Sequence, residues 1–67
     1  MINSAEVYFD CGYKAGLATR NRDAAMARVQ REWFVRAKAL ETGADKDVAE
    51  QEYKRGYADA QPSHLLR

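Results

Sequence analysis

The sequence predicts an all-α protein of three helices, and three observations carry that prediction. The only proline, Pro62, lies near the end of the chain. Alanine, arginine, glutamate and lysine dominate, and these are good helix formers, whereas β-branched residues are few and scattered. Apolar residues in the middle of the chain recur at steps of three and four, the spacing of one helix face. The expected arrangement is a three-helix antiparallel bundle in which helices 1 and 3 pair.

Helix 1 is expected to start at Asn3, whose side chain would accept from early backbone amides, with Glu6 three residues on completing a capping box. It should run to about Thr19. Helix 2 should begin after Asn21, which could cap it. No glycine or proline forces a break near Arg20–Asn21, so one continuous helix from Ser4 to Leu40 is the alternative. Gly43 would supply the left-handed residue that ends helix 2. Asp45 would then cap helix 3, with Asp47 and Glu50 suiting its positive end. Pro62 should stop helix 3 and leave a loose tail over residues 62–67.

In helix 2, Met26, Val29, Trp33, Ala37 and Leu40 share one face, which is expected to present Trp33 to the other two helices. Phe34 widens that face. Arg28, Arg31, Val35 and Lys38 lie on another. Two outcomes are open for Phe34 and Val35. They wrap round to touch helix 1 or helix 3, or they stay exposed beside the arginines, a common interface composition.

A repeated octet is the most informative feature. Phe9-Asp10-Cys11-Gly12-Tyr13-Lys14-Ala15-Gly16 matches Tyr53-Lys54-Arg55-Gly56-Tyr57-Ala58-Asp59-Ala60, both reading aromatic-x-x-Gly-Tyr-x-x-small. Glycine inside a helix costs about 1 kcal/mol relative to alanine. Gly12, Gly16 and Gly56 are therefore expected to permit close approach of helices 1 and 3. The expected pairing is antiparallel, with Phe9 and Tyr13 against Gly56, Tyr57 against Gly12, and a ring filling each notch. A notch that takes a partner or an RNA base is the other reading, because tyrosines stack bases.

A chain of 67 residues is one domain, 1–67, with a core that rarely supplies more than about 3–5 kcal/mol. Disulfides and zinc are closed as supports, since Cys11 is the only cysteine and His64 the only histidine. Helix packing, a homodimer through helix 2, or a bound partner remain. One cysteine fits a reducing compartment. The N-terminal residues lack a basic start and an uninterrupted apolar run, so no signal peptide is expected, and the cytoplasm is the expected location.

Net charge is +1, which gives little long-range pull on nucleic acid or membrane. The middle of the chain is basic and the C-terminal third acidic; these faces would attract each other across a hairpin or stay solvated.

No catalytic residue, cofactor or metal is expected. Cys11 reads as a packed, inert thiol and His64 as a solvated tail residue. Asp45-Lys46-Asp47-Val48-Ala49-Glu50 lacks the glycine of a calcium loop, and Gly56 stands where its bidentate glutamate belongs. The expected function is a non-enzymatic binding module that modulates or inhibits a larger protein. Its expected contact strip is Arg28, Arg31, Phe34, Val35 and Lys38, with Arg31 and Phe34 as hot spots. In the alternative, an RNA or ribosome binder, Arg20, Arg22, Arg28 and Arg31 would carry the contacts. The residues expected to hold the helices together are Phe9, Gly12, Tyr13, Gly16, Trp33, Tyr53, Gly56 and Tyr57.

The stretch Gly12-Tyr13-Lys14-Ala15-Gly16-Leu17-Ala18-Thr19-Arg20-Asn21 resembles the first conserved stretch of the ribosome modulation factor family, and Tyr53, Gly56, Tyr57 and Ala60 look like its second. The chain lacks that family's Cys-Pro-Tyr and its basic N-terminal run. The resemblance implies a ribosome-binding hibernation factor, with Gly12, Tyr13, Gly16, Arg20, Gly56 and Tyr57 as scaffold. In size and style the chain also resembles phage-encoded and mobile-element proteins dedicated to one host protein.

Overall fold

The computed structural model describes residues 4–61, which form three helices: α1 (Ser4–Arg20), α2 (Ala24–Ala39) and α3 (Ala44–Ala60). The expected cap at Asn3, the stop at Pro62 and the tail at 62–67 lie outside the described residues.

The break between α1 and α2 is real, and its chemistry sits at Arg22 and Asp23. Asp23 donates its amide to the Ala18 carbonyl at 2.7 Å and Arg22 to the Thr19 carbonyl at 3.0 Å. Those two bonds are the Schellman pattern, and its left-handed position is held by Arg22 at φ 60 where glycine is usual. Asp23 then caps α2, its Oδ1 accepting from the Met26 amide at 3.0 Å. Asp23, not Asn21, therefore starts α2.

The second connection also shifts. α2 ends at its cap, Leu40, in ordinary right-handed geometry. Gly43, at φ 57 and ψ -134, is the N-cap of α3 rather than the terminator of α2, and Asp45 falls in the first turn beside Asp47. The Lys38 carbonyl near the end of α2 accepts from the Glu41 amide at 2.9 Å and, as a second bond, from the Lys46 ammonium at 3.2 Å, which ties the first turn of α3 to the last of α2.

Neighbours in sequence run antiparallel. Tyr8 lies edge-on to Phe34, and the Cys11 thiol donates to the Gln30 carbonyl at 3.1 Å. Across α2 and α3, Phe34 stacks on Tyr53 and Lys38 pairs with Glu50.

α1 and α3 form the most extensive interface, and the two octets make it, but the helices run parallel. Gly12 faces Tyr53, Gly16 faces Tyr57 and Ala60, and Gly56 faces Phe9 and Tyr13, so numbers rise together on both helices. The reason is topological. Each short connection reverses the chain, and two reversals restore the direction of α1.

Backbone fills the notches, where rings were expected. A Cβ on Gly12 would stand 2.0 Å from the Tyr53 carbonyl oxygen, and one on Gly56 would stand 2.1 Å from that of Phe9. Tyr57 lies against Gly16, not Gly12. Spacing of small residues four apart on both helices, Gly12/Gly16 and Gly56/Ala60, lets the backbones approach this closely.

α2 sits rotated by one residue, about 100°, from the expected face. Its inward line is Ala27, Gln30, Phe34, Ala37 and Lys38, and Glu41, just past the cap, continues it. Phe34 is 2% exposed, while Trp33 is 47%, Val29 55% and Leu40 85% exposed. Trp33 is thus not the residue that holds α2 to the bundle. Phe34 takes the seat because Tyr8 and Tyr53 bracket it, at centroid separations of 5.9 and 4.0 Å. The described core is Tyr8, Cys11, Ala15, Ala18, Phe34, Ala49, Tyr53 and Ala60. Only four of these exceed alanine in size.

Candidate functional site

Tight contact of α1 with α3, and of α2 with α1, leaves α2 and α3 with few contacts, chiefly Lys38 with Glu50, Phe34 with Tyr53 and Arg31 over the Tyr53 ring. Below these contacts they diverge. The divergence opens a groove of about 560 Å³ lined by Ala15, Thr19, Ala27, Arg28, Arg31, Glu50, Tyr53, Lys54, Tyr57 and Ala58.

Each wall follows from helix periodicity. Arg28 and Arg31 lie three apart on α2, and Tyr53, Lys54, Tyr57 and Ala58 occupy one side of α3 at steps of three and four. Alanines and Tyr53 form the floor, which the α1–α3 approach brings within reach. Tyr57 stacks beside Tyr53, with centroids 6.5 Å apart and planes 25° apart, and is half-buried. The Arg31 guanidinium lies 5.9 Å from the Tyr53 ring centroid, a cation–π contact.

Three cations line this groove against the single carboxylate of Glu50. Glu50 is occupied already, by Lys38 and, at 3.9 Å, by Lys54. The hydrogen bond from Lys38 holds the Glu50 carboxyl below its ordinary range, and the charges of Lys38, Lys54 and Arg31 add to that. Burial pushes the Tyr53 phenol up, partly offset by its hydrogen bond with Arg31. A neutral phenol and a guanidinium therefore stand together at the groove floor. The arrangement offers an anionic ligand charge-assisted hydrogen bonds above an aromatic base.

Of the expected contact strip, Arg28 and Arg31 enter the groove. Val35 is exposed on α2 outside it. Phe34 is buried in the core, so it is not an exposed contact residue. Lys38 is half-buried, tied to Glu50 and placed 5.9 Å from the Phe34 ring centroid. Arg20 and Arg22, the other expected RNA contacts, are exposed at the α1–α2 turn.

Lys54 and Tyr8 carry no expectation from the sequence, and Tyr57, expected to pack against Gly12 or to line a notch, faces the groove instead. Lys54 and Tyr57 become groove residues only once α2 and α3 splay. Tyr8 is buried, donates to Glu41 Oε2 at 2.7 Å, and has its pKa pushed up to about 12, by burial first and then by Glu41. A signal for it exists: Tyr8, Cys11, Ala15 and Ala18 follow the three- and four-residue steps of a core line. Cys11 is packed as expected, its pKa raised chiefly by burial. His64 lies outside the described residues.

No described helix is long and apolar enough to cross a membrane. Comparison with known proteins matches no family model, no curated protein and no solved structure.

Proposed function

We propose that this is a non-enzymatic binding protein that takes an acidic segment of a larger protein into the groove between α2 and α3 and modulates that protein by doing so. One observation carries the reading: Arg28, Arg31 and Lys54 ring an apolar and tyrosine floor, and the only carboxylate lining it is already paired. Arginine and tyrosine are the residue types that concentrate binding energy at interfaces. The floor suits an apolar or aromatic anchor, and the rim suits flanking aspartates or glutamates.

A second reading, RNA or ribosome binding as the family resemblance implies, is favoured by the half-buried Tyr57 ring beside the same cations. Tyr53 beneath it is buried, which leaves one ring for base stacking.

The test uses fluorescence anisotropy with two probes of matched charge: an acidic peptide bearing one aromatic anchor, and a single-stranded RNA. The proposal expects the peptide to bind, with Arg28→Glu/Arg31→Glu abolishing binding while helicity persists. Going from about 50 to 200 mM salt should weaken the peptide modestly, whereas a phosphate contact of several cations falls steeply over that range. Tighter RNA binding with a steep salt slope supports the second reading. Binding of neither probe, or peptide binding indifferent to both arginines, contradicts the groove as the site.

A further inference from the structure

The rotation of α2 that buries Phe34 leaves Met26, Val29 and Trp33 on the outer surface, beside α1. Two adjoining grooves run between α1 and α2 there. One, about 270 Å³, is lined by Val7, Asp10, Lys14, Val29 and Trp33 among others; the next, about 410 Å³, by Lys14, Leu17 and Met26 among others. They share Lys14 and Gln30, so they form one continuous face.

That face is self-complementary. On α1 its residues are Val7, Asp10, Lys14 and Leu17, which are symmetric about residue 12: the apolar pair lies five residues out and the charged pair two residues out. On α2 its residues are Met26, Val29 and Trp33, nearly symmetric about Val29. The two centres stand at the same height, because Cys11 bonds Gln30 across the α1–α2 contact. One twofold axis therefore serves both helices.

We propose that a second copy of this chain docks on this face, antiparallel, about a twofold axis that passes near Val29 on α2 and crosses the outer side of α1 midway between Asp10 and Lys14. Met26 of each copy then meets Trp33 of the other, and Val29 meets Val29. Val7 meets Leu17, and Asp10 meets Lys14. Charge is complementary because Asp10 and Lys14, now joined to each other at 3.0 Å on an exposed surface, exchange partners across the axis. An isologous contact of this kind closes after two copies.

Size agrees. Two helices about 25 Å long and about 10 Å apart present enough area for a standard interface, about 800 Å² per partner. The core described above has only Tyr8, Cys11, Phe34 and Tyr53 larger than alanine, so an apolar face of three more large side chains is substantial for this chain. The α2–α3 groove lies on the other side of α2 and stays open in the dimer, so this inference does not depend on the function proposed above.

Sedimentation equilibrium on the full chain tests it, with emission of Trp33, the only tryptophan, as a second readout. Expected are a monomer–dimer equilibrium and a blue shift of emission as dimer forms. Val29→Glu should weaken dimerisation at least tenfold while helical circular dichroism is retained. Val35→Glu, on the other face, should leave it unchanged. Asp10→Lys and Lys14→Asp should each weaken it, and the double exchange D10K/K14D should restore it. A monomer at every concentration, open-ended association beyond the dimer, or a dimer indifferent to Val29→Glu overturns the proposal. Failure of the double exchange to restore dimerisation overturns the antiparallel register.

Discussion

Gly12 lies against the carbonyl of Tyr53, so close that a Cβ at residue 12 would stand 2.0 Å from that oxygen. The Phe9 carbonyl bears on Gly56 in the same way, at 2.1 Å. Gly→Ala in an open helix stabilises by roughly 0.5–1 kcal/mol. Here the sign should reverse. Gly12→Ala and Gly56→Ala are each expected to cost about 3 kcal/mol or more, the upper end for overpacking, and to unfold a chain this small. Gly16→Ala should be milder, because its nearest contacts stand at 2.7 Å from the Tyr57 carbonyl and 2.8 Å from the Ala60 side chain. Thermal melts followed by circular dichroism check the order; higher melting of Gly12→Ala would contradict the close approach.

Adjacent aromatic residues on α2 should differ sharply. Phe34→Ala removes the ring between Tyr8 and Tyr53 and is expected to cost about 3–5 kcal/mol, as large core truncations do. Trp33→Ala should cost less than about 1 kcal/mol in dilute solution, since its ring is half exposed. Urea denaturation at low micromolar concentration gives both values. A larger loss at Trp33 than at Phe34 would mean that α2 seats the other face.

Arg22 holds a left-handed backbone at φ 60. Glycine there should relieve the Cβ clash and stabilise the α1–α2 turn by about 1 kcal/mol, net of glycine's own entropy. Removing the cap next to it, Asp23→Ala, should cost about 1 kcal/mol. Opposite shifts in melting temperature are the expected pair of outcomes, and a loss of stability in Arg22→Gly would contradict the assigned turn.

Tyr8 gives the protein an alkaline limit. Burial, and then its hydrogen bond to Glu41, push the phenol up to about 12 in the fold from an ordinary value of 10.0. A group raised on folding contributes stability that is full below its unfolded value and is lost as pH rises toward its folded one. The bundle should therefore weaken between about pH 10 and 12. Cys11 and Tyr53, also raised by burial, act in the same direction. Tyr8→Phe should flatten this limb, measured as the urea midpoint against pH. The acid limit runs the other way. Glu50 is depressed by Lys38, so its contribution is present above the usual carboxylate range and fades as pH falls below it.

The octets were legible because a helix tolerates three interior glycines only where backbones must meet. Their parallel direction was not read from them, since glycine spacing is the same in either sense; the two short connections decide it. The apolar stripe of α2 was visible in its periodicity, but periodicity does not say which of two overlapping faces is buried. Phe34 wins because Tyr8 and Tyr53 leave a ring-sized seat. Arg28 and Arg31 were identifiable as a basic pair on α2, whereas Lys54 and Tyr57 join them only through the splay of α2 from α3, a tertiary property.

Parallel backbone contact between α1 and α3 sets the tyrosine floor, the groove and the seat for Phe34. Proton NMR measures it most directly. Parallel packing predicts nuclear Overhauser contacts from the Gly12 α protons to Tyr53, from Gly56 to Phe9 and Tyr13, and from Gly16 to Ala60. Contacts from Gly12 to Ala60 and from Gly16 to Tyr53, the antiparallel pattern, would contradict it.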